Sequence, residues 1–281
     1  MNLTGSVYSR SRRFPVLILA LALFTIVAGF GYRQSGLAVE GSSSLLERLE
    51  STESGVVETG ELVYINDGKE LGNETYEIRK EDDGGLVLNS EGVVTPPIPI
   101  PFVKPRIKFN QTVEIDNNLE PVFLSLQYKG PLGIGNKKIT ASVNGDTLEL
   151  NRGKDSQTIS LESEQYYFSG TTSSGALFAI VLARQGKITR LTEIRSGGTG
   201  PSGGDDDEAL ARVEFVSKDE FTMKINGREE TVTGYKYWED ESGRERELII
   251  KDGSLVAYRA KAGDSSFYAY RKDMLGEGFR F

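Results

Sequence analysis

Hydroxyl groups crowd together at Ser169–Gly175 (SGTTSSG), directly ahead of an apolar stretch, and these residue types come close to what acyl transfer requires. A serine or threonine becomes a nucleophile only when a base takes its proton. The chain contains no histidine and no cysteine, so that base would have to be a lysine, a carboxylate or a terminal amine, and no Ser-x-x-Lys spacing occurs in the segment. The stretch therefore reads as a turn and helix cap. The same two absences exclude zinc sites built on Cys or His, thiol nucleophiles, disulfides and histidine triads. Paired carboxylates of the glycosidase kind are chemically open to a chain with 41 acidic residues, but nothing singles out a pair. Asp205, Asp206, Asp207 and Glu208 lack the alternating ligand spacing of a calcium loop and read as a solvated linker. Gly130–Gly135 (GPLGIG) carries a proline and sits in a hairpin context, which makes it a turn rather than a phosphate loop. No metal and no cofactor is expected. A formal charge of −8 without a basic stripe argues against nucleic acid as a partner.

The elements that would have to position any site are mostly strands. From Glu61 onward, short alternating segments are broken by turn residues about every ten positions, the pattern of an antiparallel sheet. Asn66-Asp67-Gly68, Asn144-Gly145-Asp146, Asn226-Gly227 and Asp252-Gly253 supply residues that tolerate the positive φ of tight hairpins. One block of strands runs from Glu61 to Phe168 and a second from Ala211 to Arg271, and a single continuous sheet is expected to hold both. Tyr166-Tyr167-Phe168, Tyr235-Lys236-Tyr237-Trp238 and Phe267-Tyr268-Ala269-Tyr270 read chiefly as sheet packing and cross-strand pairs. One soluble helix is expected, capped by Ser173 or Ser174, running from Gly175 to Arg184 and ended by Gly186. It is apolar on nearly every side, so it must be enclosed by the sheet or cover an apolar hollow. Thr95–Pro105 (TPPIPIPFVKP) holds five prolines, which cannot donate to a ladder, and reads as an extended crossover or lip.

Ahead of these lies the uncharged run Phe14–Phe30, which as a helix rising about 1.5 Å per residue covers roughly 25 Å, close to the hydrocarbon thickness of a bilayer. Arg10, Arg12 and Arg13 before it place the N-terminus inside. The expected organisation is a cytoplasmic basic flank at 1–13, a transmembrane anchor or signal segment at 14–32 and a tether at 33–60, in which Leu45-Leu46-Glu47-Arg48-Leu49 reads as about two helical turns. A β-rich extracytoplasmic domain at 61–272 follows, with a flexible loop at 196–208, and then a C-terminal tail at 273–281. The chain would be a single-pass protein of the cytoplasmic (inner) membrane with its C-terminal domain periplasmic or extracellular, or else secreted after signal cleavage.

The order of features is similar to a known group. Glu61–Ser90 gives a strand, a turn, a second strand ending in Tyr76-Glu77-Ile78 and a third after an Asp-Gly turn. Asn118-Leu119-Glu120-Pro121-Val122, the apolar Ala176–Arg184 and the closing Asn-Gly and Asp-Gly hairpins come later. This series resembles bacterial envelope domains of unknown function related to the outer-membrane lipoprotein carrier (LolA/LolB-like) superfamily. The resemblance implies a strongly curved antiparallel sheet, an incomplete barrel around an apolar hollow with a helix or loop as lid, and an acyl or other hydrophobic ligand without catalysis. The membrane segment, the proline tract and the acidic linker depart from the carrier pattern.

The fold class expected is therefore mainly β, a curved sheet or incomplete barrel with one helix or lid after a single N-terminal transmembrane helix. The function expected is a membrane-tethered, non-catalytic domain binding a hydrophobic (lipid or acyl) ligand or an envelope partner. A solid-cored envelope scaffold is the alternative, and an envelope-polymer hydrolase using paired carboxylates a third. Candidate cavity residues are the apolar positions not committed to hairpins: Ile98, Ile100, Phe102 and Val103 in the proline tract, and Leu177, Phe178, Val181 and Leu182 in the helix.

Overall fold

Bulky residues two apart, punctuated by hairpin turns, build nearly the whole molecule. The structure is a computed structural model that describes residues 44–95, 106–131, 136–162, 165–186, 188, 190–195, 210–239, 243–262 and 265–280. The apolar run at 14–32, most of the proline tract with Ile98, Ile100, Phe102 and Val103, and the linker at 196–208 lie outside the described residues.

The first strand lies in the middle of the sheet. Strands β1 (Gly55–Asn66), β2 (Lys69–Lys80), β3 (Leu86–Val94) and β4 (Ile107–Ile115) step outward in one direction. They are followed by β5 (Pro121–Lys129), β6 (Lys137–Asn144), β7 (Thr147–Arg152) and β8 (Asp155–Ser160), each antiparallel to the last. The chain then crosses to the far edge, where β9 (Tyr166–Ser169) pairs in parallel with β10 (Arg190–Arg195). A parallel pair requires a crossover connection, and helix α2 (Ser174–Gln185) provides it. Strands β11 (Leu210–Ile225), β12 (Arg228–Glu239), β13 (Arg244–Lys251), β14 (Ser254–Ala262) and β15 (Ser265–Arg271) then walk back until β15 lies beside β1. The result, among the described residues, is one open sheet of fifteen strands. Its two blocks are continuous, as expected, because the last strand pairs with the first.

The turns account for the register. Asp67-Gly68, Asn226-Gly227 and Asp252-Gly253 each place both central residues at positive φ, between 47° and 88°, the conformation of the type I′ hairpin whose twist matches its strands. Period-two burial follows along β4, where Ile107, Phe109, Gln111, Val113 and Ile115 all point inward. Leu124 and Leu126, Ile139 and Ala141, and Leu148 and Leu150 repeat the pattern on β5 to β7. Each such leucine or isoleucine contributes about 1.5–3 kcal/mol of burial.

The sheet curls so that edge strand β9 comes against β5, and the concave side is filled by α2. On one side α2 packs against β13 and β14, and its N-terminal end is gripped from β2 and β4 on the other. Ala176, Ala179, Ile180 and Leu182 are fully buried. Of the two expectations for α2, enclosure by the sheet is the one the fold shows; the single helix expected for the domain is corrected, since two further short helices exist among the described residues.

Two segments expected to lie outside the domain belong to it. Helix α1 (Leu45–Ser51) falls in the stretch read as a tether, yet it opens with a capping box in which Ser44 and Glu47 exchange side-chain-to-backbone bonds of 2.9 and 3.1 Å. It buries Leu45 and Leu49 in the main core, and Lys80 Nζ donates to the Leu49 and Thr52 carbonyls at 2.8 Å each. The segment read as a tail forms α3 (Lys272–Leu275), which covers the convex face. There Val63, Ile65, Val232, Ile249, Val256 and Tyr270 make a second core, closed by Met274, Leu275 and Phe279. Gly60 is required where Arg271 crosses β1, because a Cβ there would meet Arg271 Nε and the Tyr76 ring at 2.6 Å.

Candidate functional site: a cavity beside helix α2

The hydroxyl-rich segment settles around a buried carboxylate. Ser173, at the N-cap of α2, makes no capping bond with its own side chain. Glu74 on β2 takes that part instead: its carboxylate accepts the Ser173 N–H (3.2 Å), the Ser173 hydroxyl (2.6 Å), and the hydroxyls of Thr171 and Tyr64. Gln111 Oε1, from β4, accepts the Thr171 N–H at 2.6 Å and the Ser174 hydroxyl at 3.3 Å. A carboxylate at a helix N-terminus satisfies otherwise orphaned donors and meets the positive end of the helix dipole. Glu74 and Ser173 are completely shielded from solvent, so this cluster anchors a helix inside a barrel-like shell. Burial, with the Glu74 charge beside it, pushes the Tyr64 phenol well above its ordinary range. Replacing Glu74 by Gln puts an amide donor among groups that already donate, and is expected to cost about 1–3 kcal/mol in chemical denaturation.

Once α2 is fixed, one of its faces borders a void. Ser174, Leu177, Phe178, Val181 and Gln185 recur at helical spacing and line a cavity of about 530 Å³. The opposite wall comes from the ends of strands: Val113 and Ile115 on β4, Val143 after the inward run of β6, and Leu161 beyond β8. Tyr166, Tyr167 and Phe168 of β9 and Ile188 complete it. The mouth is polar. Asn118, Glu120, Asp146, Glu162 and Gln165 stand there, Gln165 Nε2 donates to Gln185 Oε1 at 2.8 Å, and the Tyr166 hydroxyl donates to the Glu162 carbonyl at 2.8 Å.

Of the helix residues singled out in the sequence, Leu177, Phe178 and Val181 border this void. Leu182 does not, because helical rotation carries it onto the packed side of α2, where it is fully buried.

A charged layer supports the aromatic wall. The Tyr167 ring stacks on Phe178 with centroids 4.6 Å apart, and Phe178 leans on Tyr237 at 5.8 Å. The Tyr167 hydroxyl donates to Glu193 at 3.0 Å. Arg246 ties Glu193 to Glu239, donating to the first and, at 2.7 Å, to the second. Burial, the largest single influence, lowers the Arg246 guanidinium, but the Glu193 charge and hydrogen bond together with the Tyr258 and Tyr167 phenols more than offset it and hold the group well above its ordinary value. Burial and then Glu193 push the Tyr167 phenol well up. Glu193, Glu239 and Arg246 are not among the residues singled out in the sequence. The available signal was strand parity: Arg246 shares its face with Leu248 and Ile250, which a solvated arginine would not.

Among the described residues no group of three or more metal-ligating side chains comes together. Chemically, the arrangement offers an apolar, aromatic-walled space with a polar rim. No family model matches the chain. No curated protein matches it either. Among solved structures it is similar to a β-barrel-like protein of domain of unknown function DUF1849 from Brucella abortus, at 11% identity over 76% of this chain and 94% of that one, with a TM-score of 0.48. It is also similar to a DUF1089 family protein from Pseudomonas aeruginosa, at 12% identity over 65% of this chain and 87% of that one, with a TM-score of 0.39. Neither likeness says what this chain binds.

Proposed function

We propose that this chain is a non-catalytic binding domain of the cell envelope that holds a hydrophobic ligand, lipid or acyl, in the cavity beside α2. In this reading residues 14–32 tether it to the inner membrane and the β-rich domain faces outward. The observation that carries the reading is the void itself: about 530 Å³, walled by Leu177, Phe178 and Val181 on one side and by strand residues on the other. That size falls within the range of small-molecule sites, and an apolar interior with a polar rim is their usual character. The resemblance to the lipoprotein carrier superfamily points the same way. Ser173 is fully buried, donates its hydroxyl to Glu74 and is not among the residues lining the cavity, which supports a role without chemistry for it, since a nucleophile must reach its substrate.

A scaffold role is the second reading, and edge strand β8 favours it, with five of its six side chains exposed. Filling the cavity separates the two. Val181→Trp extends a ring into existing space, so the unfolding midpoint of the full chain should move by no more than a few degrees. Photolabelling of residues 174–185 by a neutral dodecanol diazirine, mapped by mass spectrometry, should fall about tenfold. Equal labelling of this variant and the native protein would favour the scaffold.

A further inference from the structure

Three acids reach the cavity mouth from three separate connections: Glu120 between β4 and β5, Asp146 between β6 and β7, and Glu162 after β8. All three are exposed, and no lysine or arginine is among the described residues that line the cavity. Arg212 approaches Glu162 at 3.6 Å, but both side chains are more than two-thirds exposed, so water screens that pair and the described residues of the mouth stay net negative. Tyr166 adds a half-buried ring at the same opening, its hydroxyl held by the Glu162 carbonyl. An apolar chamber whose charged lining residues, among those described, are all acids, with an aromatic ring beside them, matches a ligand that is greasy at one end and positive at the other.

We propose that the occupant is a single-chain amphiphile with a cationic head, an ammonium in the simplest case. Its chain lies along Leu177, Phe178 and Val181, and its head lies among Glu120, Asp146, Glu162 and the Tyr166 ring. This rests on the cavity reading above and adds the sign of the ligand's charge. A fatty acid or a phosphate-headed lipid would bring its anion to within a Debye length, about 8 Å, of the rim carboxylates, and is disfavoured there.

The test uses the full chain in nanodiscs of a zwitterionic phospholipid and three dodecyl diazirine probes that differ only in the head: trimethylammonium, hydroxyl or carboxylate. Each probe is applied to the native protein and to the triple variant E120Q/D146N/E162Q, and labelling of residues 174–185 is read by mass spectrometry. Comparing the two proteins for one probe cancels its partition into lipid. The proposal expects labelling by the ammonium probe to fall about tenfold in the variant, labelling by the carboxylate probe to rise, and the hydroxyl probe to change little. Added salt should erode the ammonium probe's advantage in the native protein. Ammonium labelling that is equal in both proteins, while the hydroxyl probe still labels the helix, would overturn the charge inference and leave the cavity reading standing. Absence of helix labelling by all three probes would overturn both.

Discussion

Replacing Arg246 by methionine is expected to destabilise the protein by about 3–5 kcal/mol, because breaking a buried pair strands the opposite charge. Two carboxylates are stranded here. Glu193 and Glu239 are fully buried, and Arg246 is bonded to both. Arg244, 3.7 Å from Glu239, remains but stands nearer solvent. The loss comes from desolvated anions rather than from a missing attraction, which gives the prediction two further signatures. Changing Glu193 and Glu239 to leucine in the same background should recover much of the loss, since an apolar replacement of a whole buried network is often near neutral. The single variant should also regain stability in acid. Carboxylates without their guanidinium favour the proton in the folded state, so their folded pKa rises above the unfolded one. The deficit is then complete at neutral pH and shrinks as pH falls towards the unfolded carboxylate range. Denaturant unfolding at pH 7 and pH 5 measures both, and an equal deficit at the two values would contradict the mechanism.

Alkali should unfold the native protein steeply above pH 10. Burial is the first cause that raises the phenols of Tyr64, Tyr76 and Tyr167 well above their ordinary range, and the neighbouring charges of Glu74, Glu58 and Glu193 are the second. Below about pH 10, where unfolded tyrosine titrates, both states hold these protons and the full stability is present. Above it only the unfolded chain releases them, so stability falls by about 1.4 kcal/mol per pH unit for each tyrosine, and by about 4 kcal/mol per unit for the three together. A marginal stability of about 5–15 kcal/mol would not survive more than a few such units. Tyrosinate absorbance should therefore show an early phase from exposed rings and a late one that coincides with loss of the sheet's circular dichroism. Ionisation of all twelve tyrosines with the sheet intact would refute the packing described for these rings.

The sheet was legible because its signals are local. Asp67-Gly68, Asn226-Gly227 and Asp252-Gly253 dictate their own hairpins, and the alternation in β4 declares which face is inside. Helix α2 was legible for a similar reason: Gly186 stops it, and no polar face competes for solvent. The ladder between β1 and β15 is a different matter, since it joins residues some two hundred positions apart and leaves no mark in either strand alone. The same holds for Glu74 and Ser173, ninety-nine positions apart. Leu177, Phe178 and Val181 could be named as candidates from their apolarity, but Leu182 is just as apolar. Only the side on which β13 and β14 pack decides which of these faces the void. The helical turns at Leu45–Leu49 were legible for the same local reason, but the burial of Leu45 and Leu49 was not, since it depends on a core built by the rest of the chain.

The account rests on the α2 face of Leu177, Phe178 and Val181 bordering a space that takes an alkyl chain. Methyl-labelled NMR of the full chain with added dodecyl alcohol tests this directly. Intermolecular contacts are expected from the methyls of Leu177 and Val181, with Leu182 silent on the packed side. Contacts from Leu182 at equal strength, or none from any residue of the helix, would contradict it.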